Sequence, residues 1–240
     1  MTTRRERQRQ ATLDEIKNVA RQQMAEYGAA ALSLNAIARE MGLTTPALYR
    51  YFANRDALVT ELIVEAFQSL GDAIEAADAA KARDDFYGRF QAMSHAYRNW
   101  AIAHPQDYDL IFGTPIPHYH APRERTVPLA SRIPTLFGIL LHEAAAAGKI
   151  DIPEEYGRLS PSMQQIVQAI AAALFLENRP PDTDVSEKII IAATLIHVRL
   201  FGLVWAELHY LALPETAVPG ELFQIELNIL TNQIKLEKPA

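Results

Sequence analysis

The sequence predicts an all-α fold on three observations. Apolar residues recur at helical spacing along most of the chain, capping residues and glycines bracket the first recurrences, and the period-two alternation of strands is not evident. Thr12 and Glu15 fit a capping box. Behind them Ile16, Val19, Ala20, Met24 and Tyr27 share a helix face, and Gly28 supplies a stop. Ser33 can cap a short second helix with Leu34, Ile37, Ala38 and Met41 on one face and Gly42 at its end. Thr45 and Pro46 read as the N-cap and first residue of a third helix, where proline's missing N–H costs nothing. Leu48 and Phe52 lie on its inner face. Asn54 can cap a long fourth helix whose Leu58, Leu62, Ala66, Phe67, Leu70 and Ile74 face a core.

Further helices are expected at roughly 84–103, 129–147, 161–178, 185–212 and 219–236. The stretch from Gly113 to Pro134 holds Pro115, Pro117, Pro122, Pro128 and Pro134, so it is expected to begin as a loop. Pro180-Pro181 and Pro214 to Pro219 mark two more breaks. The organisation expected is an N-terminal three-helix domain with a basic arm over residues 1–57, joined by the long helix to a larger helical domain over 58–240.

Composition narrows the classes. Of 240 residues, 49% are hydrophobic and 22% charged, which is ordinary for a globular protein. No unbroken run of eighteen uncharged apolar residues argues for a membrane span. The start of the chain lacks the apolar stretch of a signal peptide. There is no cysteine, which excludes disulfides, cysteine–zinc sites and thiol nucleophiles and makes a cytoplasmic address the default expectation. The net charge of −6 hides an asymmetry. Residues 1–60 carry nine basic and six acidic side chains, and the remainder fourteen and twenty-three. A basic head on an acidic body suits a nucleic-acid-binding domain joined to another domain, and a solvated face would look similar.

Gly42-Leu43-Thr44-Thr45 is a short glycine-containing turn between two short amphipathic helices, as a helix-turn-helix requires. In that geometry the N-terminus of the second helix meets base edges in the major groove. Thr44, Thr45, Pro46 and Ala47 are small, so the helix can sit deep, with hydroxyls and methyls toward the groove floor. Tyr49, Arg50 and Tyr51 are then free to reach phosphates. Arg55 at the start of the fourth helix and Ser33 at the second lie beside unpaired helix N–H groups, which also favour phosphate. The tyrosines are otherwise read as the rim of a small core. Arg4, Arg5, Arg7 and Arg9 form either a minor-groove arm or a solubilising tail.

Gly28, Leu32-Ser33-Leu34, Ile37-Ala38, Met41-Gly42-Leu43, Ala47 through Phe52 and Asn54 through Leu58 resemble the N-terminal domain of the TetR/AcrR family of transcriptional regulators. The likeness runs without a gap over about residues 10–60. It departs at Met41, where the family often has alanine, and at Arg55, where it often has lysine. Arginine keeps the phosphate role and adds bidentate geometry. The resemblance also implies a base or phosphate contact at Asn35.

For the rest of the chain the resemblance implies an all-helical C-terminal domain that binds a small ligand and dimerises. Tyr97 through Trp100, His104-Pro105 and Phe112 through Tyr119 are similar to one branch of such domains, which tends to carry a Trp…His-Gly signature on a late helix. Gly202 is kept here, and Phe201 stands where the histidine is expected. Trp100, Tyr108, Phe112, Phe137, Phe175, Phe201 and Trp205 are available to line an apolar cavity, with His118, Tyr119 and His120 beside it, or else are ordinary core. The segments near 161–177 and 187–211, with Ile166, Ile170, Ala173, Leu174 and Glu177 on one face, are expected to build a homodimer interface or to be buried within the subunit.

The function expected is a ligand-responsive regulator, a repressor released from palindromic operator DNA by an unidentified small molecule, with no cofactor, no metal and no membrane partner. The rivals are a helical protein-interaction module and a metal-dependent enzyme. Enzyme motifs are missing: His142-Glu143 starts an H-E-x-x-H pattern that fails at Ala146, and His118-x-His120 could bind a metal with a distant carboxylate, although two histidines in a loop are more often not ligands.

Overall fold

The computed structural model describes residues 3–175, 186–210 and 220–238, and over 170–175 the course of the helix but not the side chains. Among the described residues every regular element is helical, as the periodicity predicts. The helices are α1 (Arg4–Tyr27), α2 (Leu34–Glu40), α3 (Thr45–Tyr49), α4 (Arg55–Ala79), α5 (Phe86–Ala103), α6 (Pro105–Phe112), α7 (Arg123–Ala146), α8 (Pro161–Phe175), α9 (Glu187–His209) and α10 (Glu221–Gln233). The chain divides into two compact units, residues 1–68 with 104–127 and residues 69–103 with 128–240. Helices α4 and α7 contribute residues to both.

In the first unit Ile16, Ala20, Leu34, Ile37, Leu48, Phe52, Leu58 and Leu62 form the core. The inward stripe expected for the long helix is buried throughout, from Leu58 to Ile74. Asn54 caps α4 by accepting the Ala57 amide at 2.8 Å, as anticipated. Ion pairs tie the helices together. The Arg21 guanidinium donates to both Asp107 oxygens at 2.9 and 3.0 Å and to Glu65 at 3.2 Å, joining α1, α4 and α6. Lys17 reaches the same Glu65 at 2.5 Å.

Four local expectations are corrected. The first helix starts two turns earlier than Thr12, because Thr3 and Glu6 form the capping box and Thr12 donates its hydroxyl to the Gln8 carbonyl. Tyr27 points outward, 64% exposed, with its hydroxyl on Glu26. Thr44, one residue before the expected Thr45, caps α3, so Pro46 occupies the second helical position. The proline-rich stretch stops being a loop at Arg123, and Pro128 and Pro134 sit inside α7. Each proline lacks the amide that would bond four residues back, at Glu124 and Ala130, and tertiary packing must offset that loss.

The second unit is held by buried charge as well as by apolar side chains. Arg89 is fully buried and donates to Asp78 at 2.7 and 3.1 Å and to Glu143 at 2.7 Å. Burial pulls its guanidinium pKa down, and the two carboxylates outweigh that and raise it. Glu143, half of the failed metal motif, is thus an ion-pair partner. Arg98 pairs with Glu207 and lies over the Phe223 ring, joining α5, α9 and α10. Arg132 bonds Asp72 and Glu75 across the face of Gly71, where a Cβ would come within 2.6 Å of its guanidinium. A side chain at residue 71 would displace the clamp. Helix α9 is long and apolar enough to cross a bilayer despite its interrupting Arg199, but Ile189, Ile190, Ile196, Leu200 and Val204 are buried in this unit.

His197 on α9 stands edge-on to Tyr97 of α5, with ring centroids 5.8 Å apart. Burial pushes its imidazole down to about 4. The unfolded chain therefore binds a proton near pH 6.5 that the native chain refuses until about pH 4. Stability is full above pH 6.5 and falls with the pH through this window, by up to about 3 kcal/mol. Urea midpoints of the parent are expected to drop more between pH 7 and pH 4.5 than those of His197→Phe. Equal pH slopes would contradict this.

Candidate nucleic-acid interface

The turn between α2 and α3 is closed by Gly42. Its φ of +64° belongs to the left-handed region, which a side chain enters only at a cost of about 1–2 kcal/mol. The Leu43 amide donates back to the Ala38 carbonyl at 2.8 Å, ending α2 and starting the turn. Thr44 then accepts the Ala47 amide on its hydroxyl and opens α3. This helix is five residues long, and the Tyr51 and Phe52 amides continue its hydrogen bonding onto the Leu48 carbonyl. Leu48 is fully buried and Phe52 nearly so, which fixes the rotation of α3.

That rotation sets the outward display. Thr44, Pro46, Tyr49 and Arg50 are exposed, Thr45, Ala47 and Tyr51 half-buried. Tyr49 shows 48% of its surface although it is an aromatic residue. Asn35, one residue into α2, is exposed, and Ser33 caps that helix through the Ala36 amide. Of the residues the sequence selects, Asn35, Thr44, Pro46, Tyr49 and Arg50 are thus exposed, and Ser33, Thr45, Ala47, Tyr51 and Arg55 are half-buried.

Arg55 has a different setting from the one its sequence position suggests. Its guanidinium donates to the Ala29 and Ala30 carbonyls at 3.3 Å, bracing the 3-10 turn after α1. Arg9 is the residue whose position the sequence left open. Its guanidinium lies over the Tyr51 ring, 5.2 Å from the centroid. The two are forty-two positions apart, so only the folded chain reveals the contact.

The residues proposed to line a ligand cavity do not share one place. Tyr108 is fully buried in the first unit, where its ring lies 5.0 Å from Phe112, and Phe112 meets Phe67 at 5.9 Å. Tyr119 bonds the Thr60 hydroxyl at 2.9 Å, while His118 is exposed with a φ of +64° and His120 is exposed. In the second unit Trp100 donates to Ser69 at 2.9 Å, and Phe137 is buried edge-on to Phe90. Phe201 is half-buried and Trp205 is 39% exposed beside His209. The side chain of Phe175 lies outside the described residues, as do those of Ile170, Ala173 and Leu174, and Glu177 altogether.

Comparison with known proteins identifies the family. Residues 16–62 match the family described as bacterial regulatory proteins, tetR family, and residues 90–230 match the tetracyclin repressor-like C-terminal domain. HTH-type transcriptional regulators Mb1846 of Mycobacterium bovis and Rv1816 of Mycobacterium tuberculosis are 36% identical over 140 residues, or 58% of this chain. The match spans 60% of the length of those relatives. The crystal structure of the regulatory protein SCO4313 superposes with a TM-score of 0.73 at 34% identity, covering 96% of this chain and all of that one. A tetR-family regulatory protein from Rhodococcus RHA1 shares the fold, with a TM-score of 0.63 at 15% identity over 94% of this chain and 98% of that one. The chain belongs to the TetR family of DNA-binding transcriptional regulators.

Proposed function

We propose that α3 enters the major groove of operator DNA, with Thr44, Thr45, Pro46 and Ala47 at base edges and Tyr49 and Arg50 on phosphates. Ser33, Asn35, Tyr51 and Arg55 flank that contact. One observation carries the reading: Leu48 and Phe52 are buried while Thr44, Pro46, Tyr49 and Arg50 are exposed. Phosphate contacts fix register, and the small residues admit the helix to the groove. The test uses a duplex enriched from a randomised pool by the parent protein. Arg50→Gln is expected to lower the log–log salt slope by about 0.9, the signature of one lost phosphate contact. Tyr49→Phe should weaken binding roughly fivefold, as for one hydrogen bond of about 1 kcal/mol. Urea midpoints should not move. Parental affinity and slope in both variants would overturn the assignment.

One recognition helix covers one half-site, and half-sites recur about 34–36 Å apart, so the working form is a symmetric dimer. We assign its interface to α9 and α10. Leu195, Val198 and Trp205 on α9 and Leu222, Ile225 and Ile229 on α10 are each 39–51% exposed at helical spacing. Between them lies an apolar groove of about 550 Å³ beside Gly202. Two apolar stripes per subunit suit a four-helix interface. On α8, Met163 and Ile166 are also exposed. Val198→Glu combined with Ile225→Glu is expected to give a monomer in sedimentation and to abolish binding of both half-sites by one particle. A double variant that remains dimeric would refute this interface.

The same dimer is proposed to be a repressor under effector control. Among the described residues, the polar atoms Ser94 Oγ and Gln91 Nε2 on α5 are buried without a hydrogen-bond partner. Such atoms suit a small apolar effector with one polar group, held in the second unit near Trp100, Phe137 and Phe201. An effector releases DNA only as far as it prefers the binding-incompetent state, and the unbroken helix α4 is the route to α3. A thermal-shift screen of apolar alcohols, ketones and acids should find binders that weaken duplex affinity, and Ser94→Val should reduce their shift. Binders that leave duplex affinity unchanged would sink effector control.

A further inference from the structure

We propose that the first two turns of α1 form a helical arm that grips DNA phosphates beside the α3 contact, through Arg5 and Arg9. This rests on the reading of α3 as the recognition helix. Residues 3–11 are all exposed, yet 4–11 are helical, with Thr3 and Glu6 closing a complete capping box. Glu6 is the sole acid in that stretch, and its carboxylate accepts the Thr3 amide at 2.7 Å. The four arginines at 4, 5, 7 and 9 therefore stand on an ordered helix, and among the described residues none of them pairs with a carboxylate. An ordered, unneutralised cluster of guanidinium groups fits a polyanion.

Two features turn this cluster toward DNA. Helical geometry puts Arg5 and Arg9 about 40° apart on one face, close to the meridian of Ile16, with Arg7 about 160° away from Arg5. Ile16 is fully buried in the first unit, so that meridian is the side on which α1 faces the rest of the helix-turn-helix. Arg9 confirms the direction by lying over the ring of Tyr51, two residues past the end of α3. Arg5 lies one turn farther out along the same line, about 6 Å by helical rise. That step is close to two nucleotide steps on one strand, about 3.4 Å each along the axis. The fit is to a run of phosphates flanking the bases that α3 reads. The Arg9–Tyr51 stack holds the arm in place before DNA arrives.

Phosphate contacts are sequence-independent, so the arm should add affinity without adding selectivity. Duplexes enriched from a randomised pool by the parent, and the same duplexes with the enriched motif scrambled, are titrated across salt concentrations. Arg5→Gln and Arg9→Gln are each expected to lower the log–log salt slope by about 0.9, and the double variant by about 1.8. The ratio of affinities for enriched and scrambled duplexes should stay at the parental value. Arg7→Gln carries the same charge change on the opposite face and should shift the slope by less than a third as much. Glutamine is a good helix former, so circular dichroism should match the parent in all variants. Equal effects at residues 5 and 7, no effect at 5 and 9, or a changed selectivity ratio would overturn the arm while leaving α3 in place. A parent that enriches no duplex would overturn both.

Discussion

Five residues are too few to hold a helix together in water, because nucleation fixes several residues for each hydrogen bond gained. Helix α3 exists because Leu48 and Phe52 are sunk into a core supplied by α1, α2 and α4. Burying two such side chains contributes on the order of 3–6 kcal/mol before entropic costs. Caps at Thr44 and a left-handed Gly42 then set where the helix starts and which way it points. The surface offered to DNA is thus defined from behind. Tyr49 and Arg50 face outward because the alternate positions are committed inward, and the small residues at 44–47 lead because the turn places them first.

The ionic contacts serve the same end at longer range. Arg21 engages Asp107 and Glu65 together, so α1 and α6 are referenced to the same residue of α4. Asp107 is nearly buried, and removing Arg21 would leave its charge without a counterion in a poorly solvated place. In the second unit Arg89 and Arg98 do comparable work on α4, α5, α7, α9 and α10. Such pairs add less to stability than their number suggests, since both partners lose water, but removing one partner is costly because it strands the other's charge.

Much of the DNA-binding end was legible in the sequence because its determinants are local. Caps, a glycine turn and an inward pair within twenty residues are read from spacing alone, and Asn54, Ser33, Leu48 and Phe52 behave as that spacing requires. The misses are those that depend on distant partners or on competing local signals. Thr3 and Thr12 both head plausible capping boxes, and nothing local decides between them. Arg55 is drawn away by the Ala29 and Ala30 carbonyls, and Arg9 meets an aromatic ring from another helix. Of the aromatic residues proposed for the cavity, Trp100, Tyr108, Phe112, Phe137 and Phe201 are buried or half-buried and Trp205 is exposed, but they do not form a group, because a shared cavity is a property of packing. Tyr108 and Phe112 belong to one unit, Trp100 and Phe137 to the other.

The prolines of α7 also separate two kinds of connection. Both α4 and α7 pass from one compact unit into the other, with the divisions falling after Gln68 and after Val127. At its division α4 has an unbroken helical ladder. At its own, α7 has Pro128, which leaves the Glu124 carbonyl without its helical amide, and Pro134 repeats the loss six residues on. A helix missing rungs bends there before it bends elsewhere. The two crossings therefore differ in their backbone hydrogen bonding, complete through the division in α4 and short of two amides in α7.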